Sequence, residues 1–158
     1  MPPIVDRQAQ RSKTKRRAFT GFGAVLLFVL GFVLFFRFNF TTVVVSGQSM
    51  LPTFKNGEKV LVSRAYWLVG PIRDSDIVVI KDGDKPGDYI IKRVYKMAGE
   101  GVDTFNAPQN PIWTIEQGEY RVPEGKVYVL GDNRAISEDS RRIGPVEMSA
   151  IIGKVVAY

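Results

Sequence analysis

The sequence predicts an all-β domain joined to one N-terminal transmembrane helix. Two observations favour this fold class: an uncharged apolar stretch lies near the N-terminus, and the rest of the chain alternates short β-branched segments with turn residues. Beyond the apolar stretch, only the short segment VEMSAI after Pro145 has any helical character. We therefore expect a basic cytoplasmic tail at residues 1–17, a transmembrane helix at 18–36 and an extracytoplasmic all-β domain at 37–158.

The apolar stretch runs from Ala18 to Phe36 and holds 19 residues without a charge. As a helix it would extend about 28 Å, close to the hydrocarbon thickness of a bilayer. Basic residues precede it and only Arg37 follows closely, which places the N-terminus in the cytoplasm and the domain across the plasma membrane. The alternatives are a buried core helix and a cleaved signal peptide, whose apolar region is usually about 7–15 residues long. The segment RFNFTT that follows has no small-x-small cleavage site, so an uncleaved anchor is favoured.

Composition excludes several kinds of catalytic site. The 158 residues include neither Cys nor His, which removes thiol nucleophiles, imidazole bases and Cys/His zinc sites. The segment GDNRAISEDS superficially matches a calcium-binding loop, but Arg134 and Ser137 occupy positions that need an oxygen ligand and a glycine, so we expect no metal. The formal net charge of +6 lies mostly in residues 1–17, which carry +5, and it gives no reason to expect a nucleic-acid partner.

The strand candidates are segments rich in β-branched and aromatic residues, separated by clusters of Gly, Pro, Asn and Asp. Asp132 and Asn133 are interpreted as one such turn, stabilised by side-chain hydrogen bonds to the backbone. The candidates are VVV (43–45), KVLVSRAY (59–66), DIVVIK (76–81), YIIKRVYKM (89–97), IWTI (112–115), KVYVLG (126–131) and IIGKVVAY (151–158).

Ser49 lies in the stretch VVVSGQSMLPTF, directly after the first strand candidate. A loop serine is most often a solvated turn residue, and that interpretation stays open on this stretch alone. Gly47 and Pro52 bracket it, so that a sharp turn can present its Oγ and its backbone N–H on the same side. Such an N–H typically stabilises a tetrahedral oxyanion by about 2.7–4 kcal/mol. Val43 and Val45 alternate onto one face of an exposed strand edge, where an extended peptide can add as a strand over a shallow apolar pocket.

Lys92 is a candidate base in a chain without histidine. In the strand YIIKRVYK, alternation places Lys92 on one face with Ile90 and Val94, and Arg93 on the other face. Desolvation can lower a lysine pKa from about 10.4 towards 7–8, where the neutral amine can accept a proton. The same pattern also fits an edge strand that its lysine protects from aggregation, or a lysine whose amine reaches water. These interpretations stay open on the segment alone.

Three segments, in order after a single anchor, resemble those of the bacterial type I signal peptidases. They are SGQSMLPTF, IKRVYKMAGE and LGDNRAISEDSRRIG, and DIVVIK matches a fourth, weaker family segment. The resemblance runs from about Val43 to the C-terminus. It departs at Gly47, where some members carry a serine that helps the oxyanion hole, and at Ala98-Gly99-Glu100, where Pro-Gly-Asp is usual. In having Gly47 at this position and a single anchor, the chain resembles the Gram-positive-type branch of the family.

The resemblance implies a Ser–Lys catalytic dyad. Ser49 would be the acylating nucleophile and Lys92 the general base that takes its proton. Ser137 resembles the serine whose hydroxyl orients the lysine amine, and Asp139 and Arg141 resemble a supporting ion pair. The expected substrate pocket consists of Val43, Val45, Met50 and Ile90.

The resemblance also implies a fold of coiled antiparallel sheets and the activity of a membrane-bound serine endopeptidase. Such an enzyme removes signal peptides from exported preproteins after small-x-small sites, outside the plasma membrane and without a cofactor. The implied partners are preprotein signal peptides, the lipid bilayer and the secretion translocase, with no nucleic acid. Two alternatives stay open. One is a related Ser–Lys protease with a narrower task, and the other is an inactive relative that binds preproteins.

Overall fold

The computed structural model describes residues 5–83, 87–109 and 119–158, and it describes side chains from residue 21 onward. The chain forms two compact units, Met1–Asn39 and Phe40–Tyr158. The second unit begins at Phe40 rather than at the expected residue 37, because the N-terminal helix continues through Asn39.

One long helix, α1 (Val5–Asn39), forms the first unit. Within the described residues it is the one helix long and apolar enough to cross a membrane, over Gly21–Asn39 with a mean hydropathy of 2.3. None of that span is buried in the protein, as a lipid-facing helix requires. At its end the Asn39 side chain donates a hydrogen bond to the Phe35 carbonyl (2.8 Å), and the first strand begins at the next residue.

The second unit is built mainly from short strands, which are numbered in chain order. They are β1 (Phe40–Val44), β2 (Lys59–Ser63), β3 (Ile77–Lys81), β4 (Tyr89–Lys96), β5 (Gly101–Val102), β6 (Tyr120–Arg121), β7 (Lys126–Leu130), β8 (Val146–Glu147) and β9 (Ile151–Ala157). The main sheet has the order β1-β2-β9-β3-β4-β7-β8 and is antiparallel throughout. Register shifts interrupt the β2–β9, β3–β9 and β4–β7 pairs, and such bulges increase the twist of a sheet.

The predicted all-β fold class is confirmed, with differences in its short elements. The candidate IWTI (112–115) lies outside the described residues. VVV (43–45) overlaps only the end of β1, which begins at Phe40, and each of the other candidates contains an observed strand. Sequence reasoning missed β5, β6 and β8, because two residues are too few to show alternation. It also missed two single-turn helices, α2 (Tyr66–Val69) and α3 (Ser140–Ile143). The segment VEMSAI forms β8, a 3-10 turn at Met148–Ala150 and the first residue of β9.

The centre of the main sheet is covered by apolar side chains on both faces. Ile77 and Val79 of β3 pack in one cluster with Ile91 of β4. Val78 and Ile80 point the other way and pack in a second cluster with Val94. Lys92 pairs with Val78 at the centre of this sheet, so its side chain enters an apolar part of the interior.

Candidate active site

Lys92 is buried in the middle of the main sheet. Its strand β4 lies between β3 and β7, and Lys92 pairs with Val78 of β3. Only 3% of the residue is exposed. The edge-strand interpretation is therefore wrong, because β4 has a neighbour on each side. The interpretation in which the amine reaches water is also wrong, because the side chain ends in the interior.

Burial lowers the pKa of the Lys92 ammonium below its ordinary value, because the protein interior disfavours the charged form. The carboxylates of Asp139, Asp82 and Glu138 act in the opposite direction, but burial is the larger effect. The neutral amine, which is the form that can accept a proton, is therefore populated at a lower pH than in an exposed lysine.

Ser49 lies in the turn after β1, and the structure brings its Oγ to 2.9 Å from Lys92 Nζ. This is a hydrogen-bond distance between residues far apart in the sequence. The chain can turn here because Gly47 has φ of +89°, a left-handed conformation that glycine adopts without strain. The glycine that departs from some family members is thus the residue that this backbone favours. In the described part of the chain, no acceptor takes the Ser49 N–H.

The loop after β7 holds the nucleophile and the base strand together. The Asn133 N–H donates to the Ser49 carbonyl at 2.9 Å. The Asp132 carboxylate accepts hydrogen bonds from Arg93 Nε (2.9 Å) and Nη2 (2.7 Å), and it accepts another from the Thr53 hydroxyl. Although burial opposes the effect, the guanidinium of Arg93 and the Thr53 hydroxyl lower the pKa of Asp132. Asp132 therefore does more than form a turn: it links the residue after Lys92 to the segment after Ser49.

Asp139 and Arg141 form a second link beside the dyad, a largely buried salt bridge. Arg141 donates from Nε to Asp139 Oδ1 (2.9 Å) and from Nη2 to Oδ2 (3.0 Å), and the Gly131 N–H donates to Oδ2 (3.0 Å). Although burial opposes the effect, these donors lower the pKa of the Asp139 carboxyl. Ser137 is buried and close enough to contribute to this lowering, but its Oγ forms no hydrogen bond of normal geometry. The structure thus places Ser137 beside Asp139 without joining it to Lys92.

The expected pocket residues do not all lie together. Val45 and Met50 are almost completely buried in the first apolar cluster, and the half-buried Val43 packs against it. Ile90 packs in the second cluster, on the opposite face of β4. Its neighbour Ile91 is the β4 residue that joins the first cluster, because adjacent side chains of a strand point to opposite faces.

Sequence reasoning missed Thr53, Arg93 and Gly131 as parts of the site. Their contacts join segments far apart in the sequence, and a single sequence carries no signal for such pairings. Gly131 is needed for close approach, since a Cβ there would lie 2.1 Å from Ser137 Oγ and 2.6 Å from the Ser49 carbonyl oxygen. Within the described ranges no three acidic side chains converge as a metal site would require.

Comparisons with known proteins identify the family of the chain. The family model "Signal peptidase, peptidase S26" matches residues 18–110 and 106–158. The chain is 34% identical to signal peptidase I of Bacillus caldolyticus, over 75% of this chain and 78% of that protein. It is 31% identical to signal peptidase IB of Staphylococcus aureus strain COL, over 83% of this chain and 81% of that protein.

A crystal structure of a signal peptidase I from Enterococcus faecalis V583 is also similar, at 23% identity and a TM-score of 0.40, covering 54% of this chain and 97% of that chain. The family model alone spans most of the chain. This chain therefore belongs to the signal peptidase family, peptidase S26.

Proposed function

We propose that the chain is a membrane-anchored serine endopeptidase that removes signal peptides from secreted preproteins with a Ser49–Lys92 dyad. The observation that carries the proposal is the 2.9 Å contact between Ser49 Oγ and the amine of a lysine that is only 3% exposed. A charged amine at this place would be costly, so the environment favours the neutral base. Membership of the signal peptidase family supplies the substrate class.

The reaction begins when neutral Lys92 takes the proton of Ser49 as Oγ attacks the carbonyl carbon of the scissile bond. The Ser49 N–H, which has no acceptor in the described part of the chain, donates to the oxyanion. Protonated Lys92 then gives its proton to the leaving amine, and the signal peptide remains as an ester on Ser49. Water, deprotonated by neutral Lys92, hydrolyses the ester and restores Ser49.

The substrate would bind as an added strand on β1. This strand is at one end of the main sheet, so its outer edge has no partner among the described strands. Extended residues before the cut can pair with that edge, with small side chains facing Val43 and the cluster of Val45 and Met50. Because basic residues precede the uncharged stretch Ala18–Phe36 and only Arg37 follows it closely, the domain would lie outside the plasma membrane.

Ser137, Asp139 and Arg141 would position the base. The Asp139–Arg141 pair holds the loop whose Gly131 contacts both Ser137 and the Ser49 carbonyl. The Ser137 hydroxyl, which makes no hydrogen bond of normal geometry here, is available to orient the lysine amine when substrate binds.

The first prediction concerns the nucleophile. Wild-type protein in detergent should cleave a preprotein with an Ala-x-Ala site after the second alanine, and Ser49→Ala should abolish cleavage. Ser46→Ala is the matched control, because Ser46 is an exposed serine of the same loop; it should retain activity. Cleavage is followed by gel and mass spectrometry. Equal processing by wild type and Ser49→Ala would contradict the proposal.

The second prediction separates the activity of Lys92 from its effect on stability. Lys92→Arg keeps the charge without a usable base, and Lys92→Met removes both, so each should be inactive. Because the pKa of Lys92 is lowered in the folded state, folding binds fewer protons there, and the stability penalty is present below the folded pKa and lost above about 10.4.

Lys92→Met should therefore raise Tm at neutral pH, and the gain should vanish as pH approaches 10.4. Thermal unfolding at several pH values checks this. A Lys92→Met variant less stable than wild type at pH 7, or an active Lys92→Arg variant, would argue against a buried neutral base.

The third prediction uses the exposed carboxylate of Asp82, which raises the pKa of Lys92 from a distance. Asp82→Asn should lower that pKa, so the acid limb of the kcat/KM profile moves to lower pH and activity on that limb increases. Asp88→Asn, in the same loop, is the control. Added salt should shrink the difference, because it screens exposed charges. An unchanged acid limb in Asp82→Asn at low salt would show that Lys92 does not govern it.

The fourth prediction tests close packing at Gly131. Gly131→Ala would force Ser137 Oγ and the Ser49 carbonyl apart, and kcat/KM should fall by about 100-fold, as expected for a displacement near 1 Å. Gly31→Ala is the control, because a Cβ at Gly31 meets nothing within 4 Å. Near-normal activity in a folded Gly131→Ala protein would rule out this positioning role.

A further inference from the structure

A small polar pocket of about 130 Å³ lies beside the dyad, on the connection between β7 and β8. Ser137 forms one of its walls, and Gly131 separates that wall from the Ser49 carbonyl. We call it the Arg134 pocket. It is lined by Gln109, Arg134, Ala135, Ile136, Ser137, Arg141 and Arg142.

The charge of this pocket favours an anion. Two of its three guanidinium groups already have carboxylate partners, since Arg141 binds Asp139 and Arg142 binds Glu138. Arg134 forms no salt bridge with any described residue. The pocket and its paired carboxylates therefore retain a formal charge of +1.

Arg134 is held in place by neutral groups. Its Nη1 donates to Asn106 Oδ1 at 2.8 Å, and its guanidinium lies 5.5 Å from the centre of the Tyr95 ring. These contacts fix the side chain without neutralising it. A guanidinium fixed in this way has donors left for a carboxylate and loses little conformational freedom on binding one.

The position of the pocket relates it to the substrate. Gly131 approaches both the Ser49 carbonyl and Ser137, which lines the pocket, so the pocket lies close to the point of cleavage. A peptide whose residues before the cut pair with β1 would reach the dyad at Ser49 and continue past it into this neighbourhood. The residues that follow the cut would then reach the Arg134 pocket.

We propose that the Arg134 pocket binds the carboxylate of an Asp or Glu side chain among the first residues of the mature protein, after the scissile bond. The inference rests on the proposed peptidase function and adds a specificity site to it. The pocket would favour preproteins that carry an acidic residue early in the mature part.

The experiment compares peptides that share one Ala-x-Ala half and carry a single Glu, Gln or Lys at each of the five positions after the cut. We expect wild-type kcat/KM to be about fivefold higher for Glu than for Gln at one position, as for a partly exposed ion pair. Arg134→Gln should reduce that ratio to about one, Arg134→Lys should keep much of it, and Arg134→Glu should favour the Lys peptide.

Matched variants separate this role from a general effect on folding. Arg121→Gln removes an exposed, salt-bridged arginine on β6 and should leave the Glu-to-Gln ratio unchanged. Gln109→Glu places a carboxylate in the pocket at an exposed residue, and it should lower the ratio even if the Arg134 variants fold poorly. A purely structural role of Arg134 would change kcat/KM for Glu and Gln peptides equally.

A wild-type ratio near one at every position, or an unchanged ratio in Arg134→Gln and Gln109→Glu, would overturn the inference. Failure to cleave even the Gln peptide would count against the peptidase function instead. In that case binding of the labelled Glu and Gln peptides to the Ser49→Ala protein decides on the pocket. Tighter binding of the Glu peptide, lost in the Gln109→Glu background, supports it, and equal binding overturns it.

Discussion

The structure depends on the burial of one lysine amine beside one serine hydroxyl. Lys92 sits on a central strand with apolar layers on both faces of the sheet, and its amine lies 2.9 Å from Ser49 Oγ. Removing an ammonium group from water is costly, so burial lowers the pKa of the amine and favours its neutral form. The same burial that opposes folding therefore supplies a base in a chain without histidine.

The loop after β7 makes this arrangement possible. Asn133 holds the Ser49 carbonyl, and Asp132 binds Arg93, the residue that follows Lys92. The ionic groups around the base are largely paired: Arg93 balances Asp132, and Arg141 balances Asp139. Arg141 thereby offsets Asp139, the carboxylate that most favours the protonated form of Lys92. The loop thus fixes the geometry of the dyad and limits the electrostatic effect of nearby charged groups on Lys92.

The sequence predicts much of this because local patterns carry the information. The length of the uncharged apolar stretch predicts the helix, and the alternation of strand side chains places Lys92 on one face with Ile90 and Val94. Both features are observed. The central position of β4 was not predictable, because strand order depends on pairings between distant segments. For the same reason no local pattern indicates that Asp132 binds Arg93. The Arg134 pocket, too, appears only when the loop after β7 is folded.

The central claim is that Lys92 is a buried base with a lowered pKa. The most direct test is an NMR titration of the full chain in micelles with lysine labelled at 13Cε, assigning the Lys92 signal by its loss in Lys92→Arg. The account predicts that this signal titrates below the ordinary lysine value of about 10.4. A Lys92 signal that titrates at or above that value would contradict the account.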